Sequence, residues 1–132
     1  MGMYRGNLED QMRLSLRAIL SKQMNGGEDK HLVIASFVSD DNGFPLTGLK
    51  RNNGSIVEME TEEYEYMCAF IPQLWDSATP SSESFQFLEE NINEVNHLTI
   101  GYRKKGETKP YLEIMITRLE EFFLSSVYCI KK

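Results

Sequence analysis

The clearest hydrophobic pattern in the chain lies in residues 31–49, HLVIASFVSDDNGFPLTGL. Leu32 to Val38 is a nearly unbroken apolar run, and a strand without a solvent face belongs in the middle of a sheet that is covered on both sides. An Asn-Gly pair follows, and because both residue types tolerate positive φ, the pattern predicts a hairpin with its turn at Asp41 to Gly43. The second strand, Phe44 to Leu49, contains Pro45, which lacks an N–H for pairing, so we expect it at a sheet edge.

Two stretches follow a helical period. Residues 8–24 carry apolar side chains on one side, follow a capping Asn7 and stop at Asn25-Gly26-Gly27, which predicts a first helix. A second helix is predicted over about residues 60–77, and Pro72 should kink it or shift a boundary. The apolar arc of this helix spans roughly 200°, about twice what a helix needs to cover one sheet. Its members are Tyr64, Tyr66, Met67, Cys68, Phe70, Ile71, Leu74 and Trp75.

From Val95 onward the hydrophobic period changes from 3.6 to 2. The alternation predicts strands around residues 97–103, 111–116 and 122–130, while Lys50 to Ser55 has the composition of a loop and Glu83 to Asn93 that of a further helical stretch. The order is helix, two strands, helix, three strands, which is an α+β pattern.

Composition limits the function classes. With 132 residues, 41% of them apolar, residues 1–132 fit one soluble domain, in which we expect residues 1–7 to be disordered or partly left over from cloning. The net charge of −6 argues against a general binder of nucleic acid or anionic membranes. No apolar run is long enough for a membrane span or a signal peptide, so we expect a cytoplasmic protein. Cys68 and Cys129 are interpreted as small buried hydrophobes.

Candidate catalytic chemistry is sparse. The two histidines, His31 and His97, lie in or beside strands, and no nucleophile pairs with either at a recognisable spacing. Gly101 to Gly106 lacks the Gly-Lys-Ser/Thr ending of a phosphate loop and is more simply a solvated hairpin tip. The acidic cluster Glu58 to Glu65 has no EF-hand spacing and is interpreted as a helix start. We therefore predict no catalytic residues, no cofactor and no metal site.

The element order and two motifs resemble the dynein light-chain roadblock family. The motifs are Val38-Ser-Asp-Asp-Asn-Gly-Phe-Pro-Leu46 and Met67-Cys-Ala-Phe-Ile-Pro-Gln-Leu-Trp75, and the resemblance covers roughly residues 8–130. It implies a roadblock/profilin-like α+β fold: a five-stranded antiparallel sheet in the spatial order second, first, fifth, fourth, third, with helices packed on it. Two departures from the family are Pro72 and the missing C-terminal helix, as in the short Ragulator-like members, which would leave one sheet face bare.

The resemblance also implies a function. Roadblock proteins are non-catalytic scaffolds that dimerise through the second helix and the third strand, bind or regulate Ras-like small GTPases, and assemble larger complexes. The broad apolar arc supports a dimer independently, with itself or with a roadblock paralogue, since one sheet cannot cover it. We expect no nucleic-acid partner, and membrane association only through partners. The predicted dimer interface comprises Tyr66, Phe70, Gln73, His97 and Thr99, and the candidate partner surface is the bare sheet face with Arg13, Leu14 and Arg17.

A small-molecule sensor of the profilin-like or PAS-like kind is the alternative function. It would need a cavity in the core, and we expect the bulky side chains of Phe37, Trp75 and Tyr102 to fill that space. The aromatic residues of the second helix are likewise more typical of a core than of a ligand pocket.

Overall fold

An antiparallel sheet with helices on its two faces organises the chain. The computed structural model describes residues 2–24, 31–92 and 94–130. The elements are α1 (Gly2–Met24), β1 (His31–Asp40), β2 (Pro45–Asn52), β3 (Ser55–Glu58), α2 (Thr61–Ala78), a 3₁₀ helix (Thr79–Phe85), β4 (His97–Tyr102), β5 (Leu112–Leu119) and β6 (Phe122–Ile130). The helices in these ranges include none that is long and apolar enough to cross a membrane.

The spatial order of the strands is β3-β2-β1-β6-β5-β4, and every neighbouring pair is antiparallel. This order confirms the α+β class and the predicted arrangement second, first, fifth, fourth, third, with one extra strand added beyond β2. It also confirms that the apolar run of β1 lies inside the sheet, between β2 and β6.

The sheet has six strands rather than the predicted five. The segment Lys50 to Ser55, which we expected to be a loop, contains the end of β2 and a two-residue turn into β3. Asn53 and Gly54 have φ values of 52° and 84°, the left-handed conformation of a tight hairpin turn. Because β2 pairs on both sides, the prediction that it forms a sheet edge was wrong. Pro45 is tolerated as the first residue of the strand.

The β1–β2 turn lies where it was predicted. Asp40 Oδ1 accepts hydrogen bonds from the backbone N–H groups of Asn42 and Phe44, both at 2.9 Å, which closes the turn. Gly43 has a φ of 86°, and a Cβ at this position would lie 2.8 Å from the carbonyl oxygen of Cys68. The turn therefore packs directly against the backbone of α2.

The helix boundaries differ from the predictions at some ends and agree at others. α1 begins at Gly2 rather than at residue 8, so Asn7 lies inside the helix instead of capping it, and the predicted stop at Asn25-Gly26-Gly27 lies outside the described residues. α2 agrees with the prediction to within one residue at each end and continues through Pro72. The helical stretch predicted after it is a 3₁₀ helix followed by turns, since Leu88 N–H bonds to Phe85 O at 2.9 Å with i, i+3 spacing.

Two apolar clusters hold the layers together, one on each face of the sheet. The α2-side core consists of Phe37, Tyr64, Cys68, Ile71, Trp75, Ile114, Ile116 and Phe123. The α1-side core consists of Leu16, Leu20, Val33, Val38 and Leu49. Burial raises the pKa of the Cys68 thiol to about 12, against a smaller opposing effect of the Ser39 hydroxyl, so this cysteine is a neutral core residue.

Candidate interaction surface

α2 turns one side toward the sheet and leaves aromatic side chains on the other. Tyr66 is 86% exposed and Phe70 is 47% exposed, and Gln73 is exposed as well. These residues are spaced i, i+4, i+7 along the helix, so they lie along one side of it. The structure thus brings together the three interface residues that were predicted on this helix.

The position of α2 is fixed by contacts at its start and in its middle. Glu63 Oε1 accepts a hydrogen bond from the Glu60 backbone N–H at 2.8 Å, and its Oε2 bonds Lys50 Nζ of β2 at 2.5 Å. The Lys50 hydrogen bond, followed by the Glu60 one, lowers the pKa of Glu63 below its usual value. In the middle of the helix, Pro72 has no N–H for the Cys68 carbonyl, and it is this carbonyl that Gly43 approaches.

β4 forms one edge of the sheet, pairing with β5 alone within the described part of the chain. Its half-buried residues Leu98 and Ile100 pack against the α2-side core, as do Met67 and Leu74, which neighbour Phe70 on α2. The aromatic side of α2 and the β4 edge therefore border the same cluster.

The strand residues of the predicted interface lie on the other face of the sheet. His97 and Thr99 alternate with Leu98 and Ile100, so they point away from α2, and both are exposed. His97 Nδ1 lies 3.0 Å from Asn96 Oδ1. Leu98 and Ile100 are the β4 residues on the α2 side and were not among the predicted interface residues, although their apolar alternation was the signal that could have identified them.

The two edges of the sheet differ in how they are protected. Edge strands that stay unpaired are commonly short or carry charged residues or proline. β3 has four residues and ends at Glu58, whose Oε1 lies 2.9 Å from Arg13 Nε of α1. β4, with the sequence HLTIGY, contains no proline and no lysine, arginine, aspartate or glutamate. β4 is therefore the edge that is open to pairing.

The three predicted partner-surface residues on α1 differ in their surroundings. Arg13 is half-buried and makes ion pairs to Asp10 at 3.3 Å and to Glu58 of β3 at 2.9 Å. Leu14 is 66% exposed and Arg17 is exposed, so these two residues are presented to solvent. On the same face of the sheet α1 packs over β1 and β2. Beside it, over β4, β5 and β6, lies a shallow cleft of ≈ 210 Å³ lined by Thr99, Glu113, Met115 and Tyr128.

The structure gives little support to the alternative function, in which a core cavity would bind a small molecule. Phe37 and Trp75 are buried in the α2-side core as expected, but Tyr102 is 39% exposed and fills no core space. A cleft of ≈ 650 Å³ beside the C-terminal end of α2 opens to the surface, with Trp75, Thr79 and Arg118 among its lining residues. No group of three or more His, Cys, Asp or Glu placed to hold a metal ion occurs in the described ranges.

Solved structures share this arrangement of elements. The gliding protein MglB from Thermus thermophilus superposes with a TM-score of 0.56 at 7% identity, over 86% of this chain and 70% of that one. A structure of MglB with a tetrameric arrangement gives a TM-score of 0.53 at 9% identity, over 87% of this chain and 71% of that one. The strand order is also the one that the sequence resemblance implied. The chain has a roadblock-like fold.

A Roadblock/LC7 domain from Streptomyces avermitilis aligns with the roadblock-like chain at a TM-score of 0.46 and 10% identity, over 76% of this chain and 68% of that one. No protein-family model matches the sequence, and no curated protein sequence matches it. The likeness to solved structures is one of fold.

Proposed function

We propose that this chain is a non-catalytic, dimeric roadblock-type scaffold that binds or regulates a Ras-like small GTPase. The observation that carries the dimer is the open edge of β4 beside the exposed aromatic side of α2. The fold supports it, because one of the similar MglB structures has a tetrameric arrangement. In this proposal the protein resides in the cytoplasm and reaches membranes only through its partners.

Pairing of two β4 edges would remove two energetic liabilities at once. The backbone N–H and C=O groups on the outer side of β4 would gain partners, and an exposed strand edge would be covered. Leu98, Ile100 and Phe70 would lose their remaining exposure. Full burial of an exposed side chain such as phenylalanine contributes about 1.5–3 kcal/mol. Because Phe70 is 47% exposed, each copy would gain about half of that amount, and a symmetric dimer would gain it twice.

The GTPase part of the proposal rests on the roadblock resemblance and on the chemistry of the surface. The sequence shows no phosphate-binding loop, so the proposed contact is with the protein surface of the GTPase and not with its nucleotide. Leu14 and Arg17 on α1, together with the neighbouring sheet face that carries His97 and Thr99, form the proposed contact surface. This surface lies on the opposite side of the sheet from α2, so a dimer through α2 leaves it accessible.

Phe70→Glu tests the dimer. A buried carboxylate in each copy should convert the protein to monomer at concentrations where the wild type is dimeric, as measured by size-exclusion chromatography with light scattering. Leu14→Glu is the matched control, since it places the same charge on an exposed apolar position of α1 and should leave the dimer intact. A dimer that survives Phe70→Glu unchanged would show that the interface lies elsewhere.

The proposed GTPase contact is tested by pull-down experiments with two different baits. Wild-type protein and a Leu14→Glu/Arg17→Glu variant are used for pull-downs from the source organism's lysate, and small GTPases are quantified by mass spectrometry. We expect a Ras-like GTPase with the wild type and a loss of its signal with the variant. Repeated recovery of partners without such a GTPase, or nucleotide bound to the isolated chain, would contradict the proposal.

A further inference from the structure

Two turns at one end of the sheet and the beginning of α1 enclose a cleft of ≈ 340 Å³. One turn joins β1 to β2, and the other is the two-residue turn Glu120-Glu121 between β5 and β6. The turns lie side by side because β1 pairs with β6, with Asp40 opposite Phe122. Arg118 Nη2 lies 3.0 Å from Asp41 Oδ1, which ties the end of β5 to the first turn. We call this space the α1 cleft.

The floor of the α1 cleft is apolar. Four of its described lining residues, which come from α1, β2 and β6, have apolar side chains: Leu8, Met12, Leu46 and Phe122. On α1, Leu8 and Met12 continue at i, i+4 spacing the stripe that contains Leu16 and Leu20. Leu16 and Leu20 are completely buried, whereas Leu8 is 39% exposed. The apolar stripe that packs against the sheet along the rest of α1 is therefore still open to solvent at the cleft.

The rim of the α1 cleft is acidic. Its described lining residues include no lysine, arginine or histidine, and they carry four carboxylates, those of Glu9, Asp40, Asp41 and Glu121. Asp41 is paired with Arg118, and Asp40 Oδ1 accepts the two backbone N–H groups that close the β1–β2 turn. Glu121 is exposed and has no hydrogen bond or ion pair within the described part of the chain. The rim thus combines carboxylates that are fixed in position with one that has no partner.

The size of the α1 cleft and the placement of its charges indicate the kind of partner that fits it. The described ranges contain no group of three or more His, Cys, Asp or Glu placed to hold a metal ion, so the carboxylates do not converge on one point. They surround an apolar floor instead, which suits several cationic groups spread along a chain with an apolar side chain between them. A volume of ≈ 340 Å³ is at the lower end of the range for ligand-binding clefts, about 300–1,000 Å³, so the cleft takes a few side chains rather than a folded surface.

We infer that the α1 cleft binds a segment of a partner protein that presents an apolar side chain flanked by lysine or arginine. The apolar side chain would cover Leu8, Met12 and Phe122, and the flanking cations would meet the acidic rim. This partner is independent of the proposed dimer and of the proposed GTPase contact. The cleft lies on the opposite face of the sheet from α2, and Leu14 lies on the solvent side of α1.

Peptide selection is the first part of the test. A phage-displayed library of random peptides is selected on immobilised wild-type protein in the presence of an excess of the soluble Leu8→Gln/Glu121→Lys variant, which removes peptides that bind elsewhere on the chain. We expect the recovered peptides to combine leucine, isoleucine, methionine or phenylalanine with neighbouring lysine or arginine. A selection that enriches no peptide, or that enriches peptides without basic residues, would overturn the inference.

Fluorescence anisotropy of a labelled synthetic copy of one selected peptide then measures Kd for single variants. Glu121→Lys should weaken binding about 3- to 30-fold in 50 mM NaCl, because an exposed attraction becomes a repulsion, and the effect should shrink in 500 mM NaCl. Leu8→Gln should weaken binding about 3- to 10-fold at both salt concentrations, because the floor loses apolar surface.

Each variant has a matched control. Glu107→Lys makes the same change of charge in the β4–β5 hairpin, at the other end of the eight-residue strand β5, which is about 26 Å long. Leu14→Gln makes the same substitution on the solvent side of α1, where Leu14 is 66% exposed. Both controls should leave Kd within about twofold of the wild-type value, since neither site lies at the cleft and the distant charge is screened.

Three further results would be decisive. Equal Kd values for Glu121→Lys and Glu107→Lys, or for Leu8→Gln and Leu14→Gln, would place the peptide outside the α1 cleft and overturn the inference. If sedimentation velocity showed that Glu121→Lys dissociates a wild-type assembly that Phe70→Glu leaves intact, the cleft would hold a second copy of this chain, and the inference of a different partner would be wrong. A monomeric wild type would overturn the proposed dimer and leave the peptide site standing.

Discussion

The contact between the β1–β2 turn and α2 predicts that Gly43→Ala is strongly destabilising. The backbone at this position has a φ of 86°, and an added Cβ would lie 2.8 Å from Cys68 O and 3.0 Å from Ala69 Cα. Both of these are backbone atoms of α2, so no side-chain rotation can relieve the clash. Either the turn or the helix must move.

The magnitude follows from two separate costs. Holding an L-residue in the left-handed region costs about 1–2 kcal/mol. Forcing a packed backbone to make room for a methyl group costs a further 1–3 kcal/mol or so, by analogy with overpacked cores. Gly43→Ala should therefore lower the free energy of unfolding by about 2–5 kcal/mol. Gly54 has a φ of 84° with no atom within 4 Å of an added Cβ, so Gly54→Ala should cost only the conformational part, about 1–2 kcal/mol.

Urea unfolding of the two variants at one fixed protein concentration measures both values, and the fixed concentration keeps any contribution from association equal. The difference between the variants isolates the contact with α2. Equal destabilisation by Gly43→Ala and Gly54→Ala, or a Gly43→Ala protein within about 1 kcal/mol of the wild type, would refute the reasoning. Since this contact supports the middle of α2, Gly43→Ala should also weaken the proposed dimer.

Two further predictions concern ionisable groups. At pH 8, Cys68 should react with iodoacetamide far more slowly than the half-buried Cys129, because burial raises the Cys68 pKa to about 12; peptide mass spectrometry reads out both sites, and similar rates would contradict the assignment of Cys68 to the core. The pKa of Glu63 is lowered by its hydrogen bond to Lys50, so the stabilisation is present above the unfolded pKa of 4.5 and is lost as the pH falls through the folded value. Glu63→Gln should therefore be less stable than the wild type in urea at pH 7, with a gap that closes below pH 4.5; a gap independent of pH would be inconsistent with this.

Much of the fold follows from local patterns in the sequence. The apolar run of β1 can be satisfied only inside a sheet, and the predicted position of this strand is correct for that reason. β3 was missed because its hairpin turn, Asn53-Gly54, is flanked by polar residues, so no apolar alternation marked the strands on either side of it. Because β3 was not predicted, Pro45 at the start of β2 led to the wrong prediction that β2 is the edge strand.

The residues of the candidate surface could be predicted only where a single helix or strand determines which of them are exposed. The outer side of α2 follows from helical spacing alone, and Tyr66 and Phe70 are exposed as that spacing requires. Which side of β4 faces α2 depends on the packing of the helix on the sheet, and the alternation of apolar and polar residues does not reveal this by itself. The half-buried Arg13 pairs with Glu58 of β3, a strand that no apolar alternation in the sequence marks.

The unequal edges of the sheet have a consequence for how far assembly can proceed. The proposed twofold pairing through β4 would consume the open edge of both copies, and the outermost strand on each side would then be β3, which is four residues long and ends at a glutamate held by Arg13. Such a strand is a poor template for further backbone pairing. In the proposed dimer, sheet extension would therefore terminate at two copies, and the unequal edges that favour the first association would protect the product against fibre growth at high concentration.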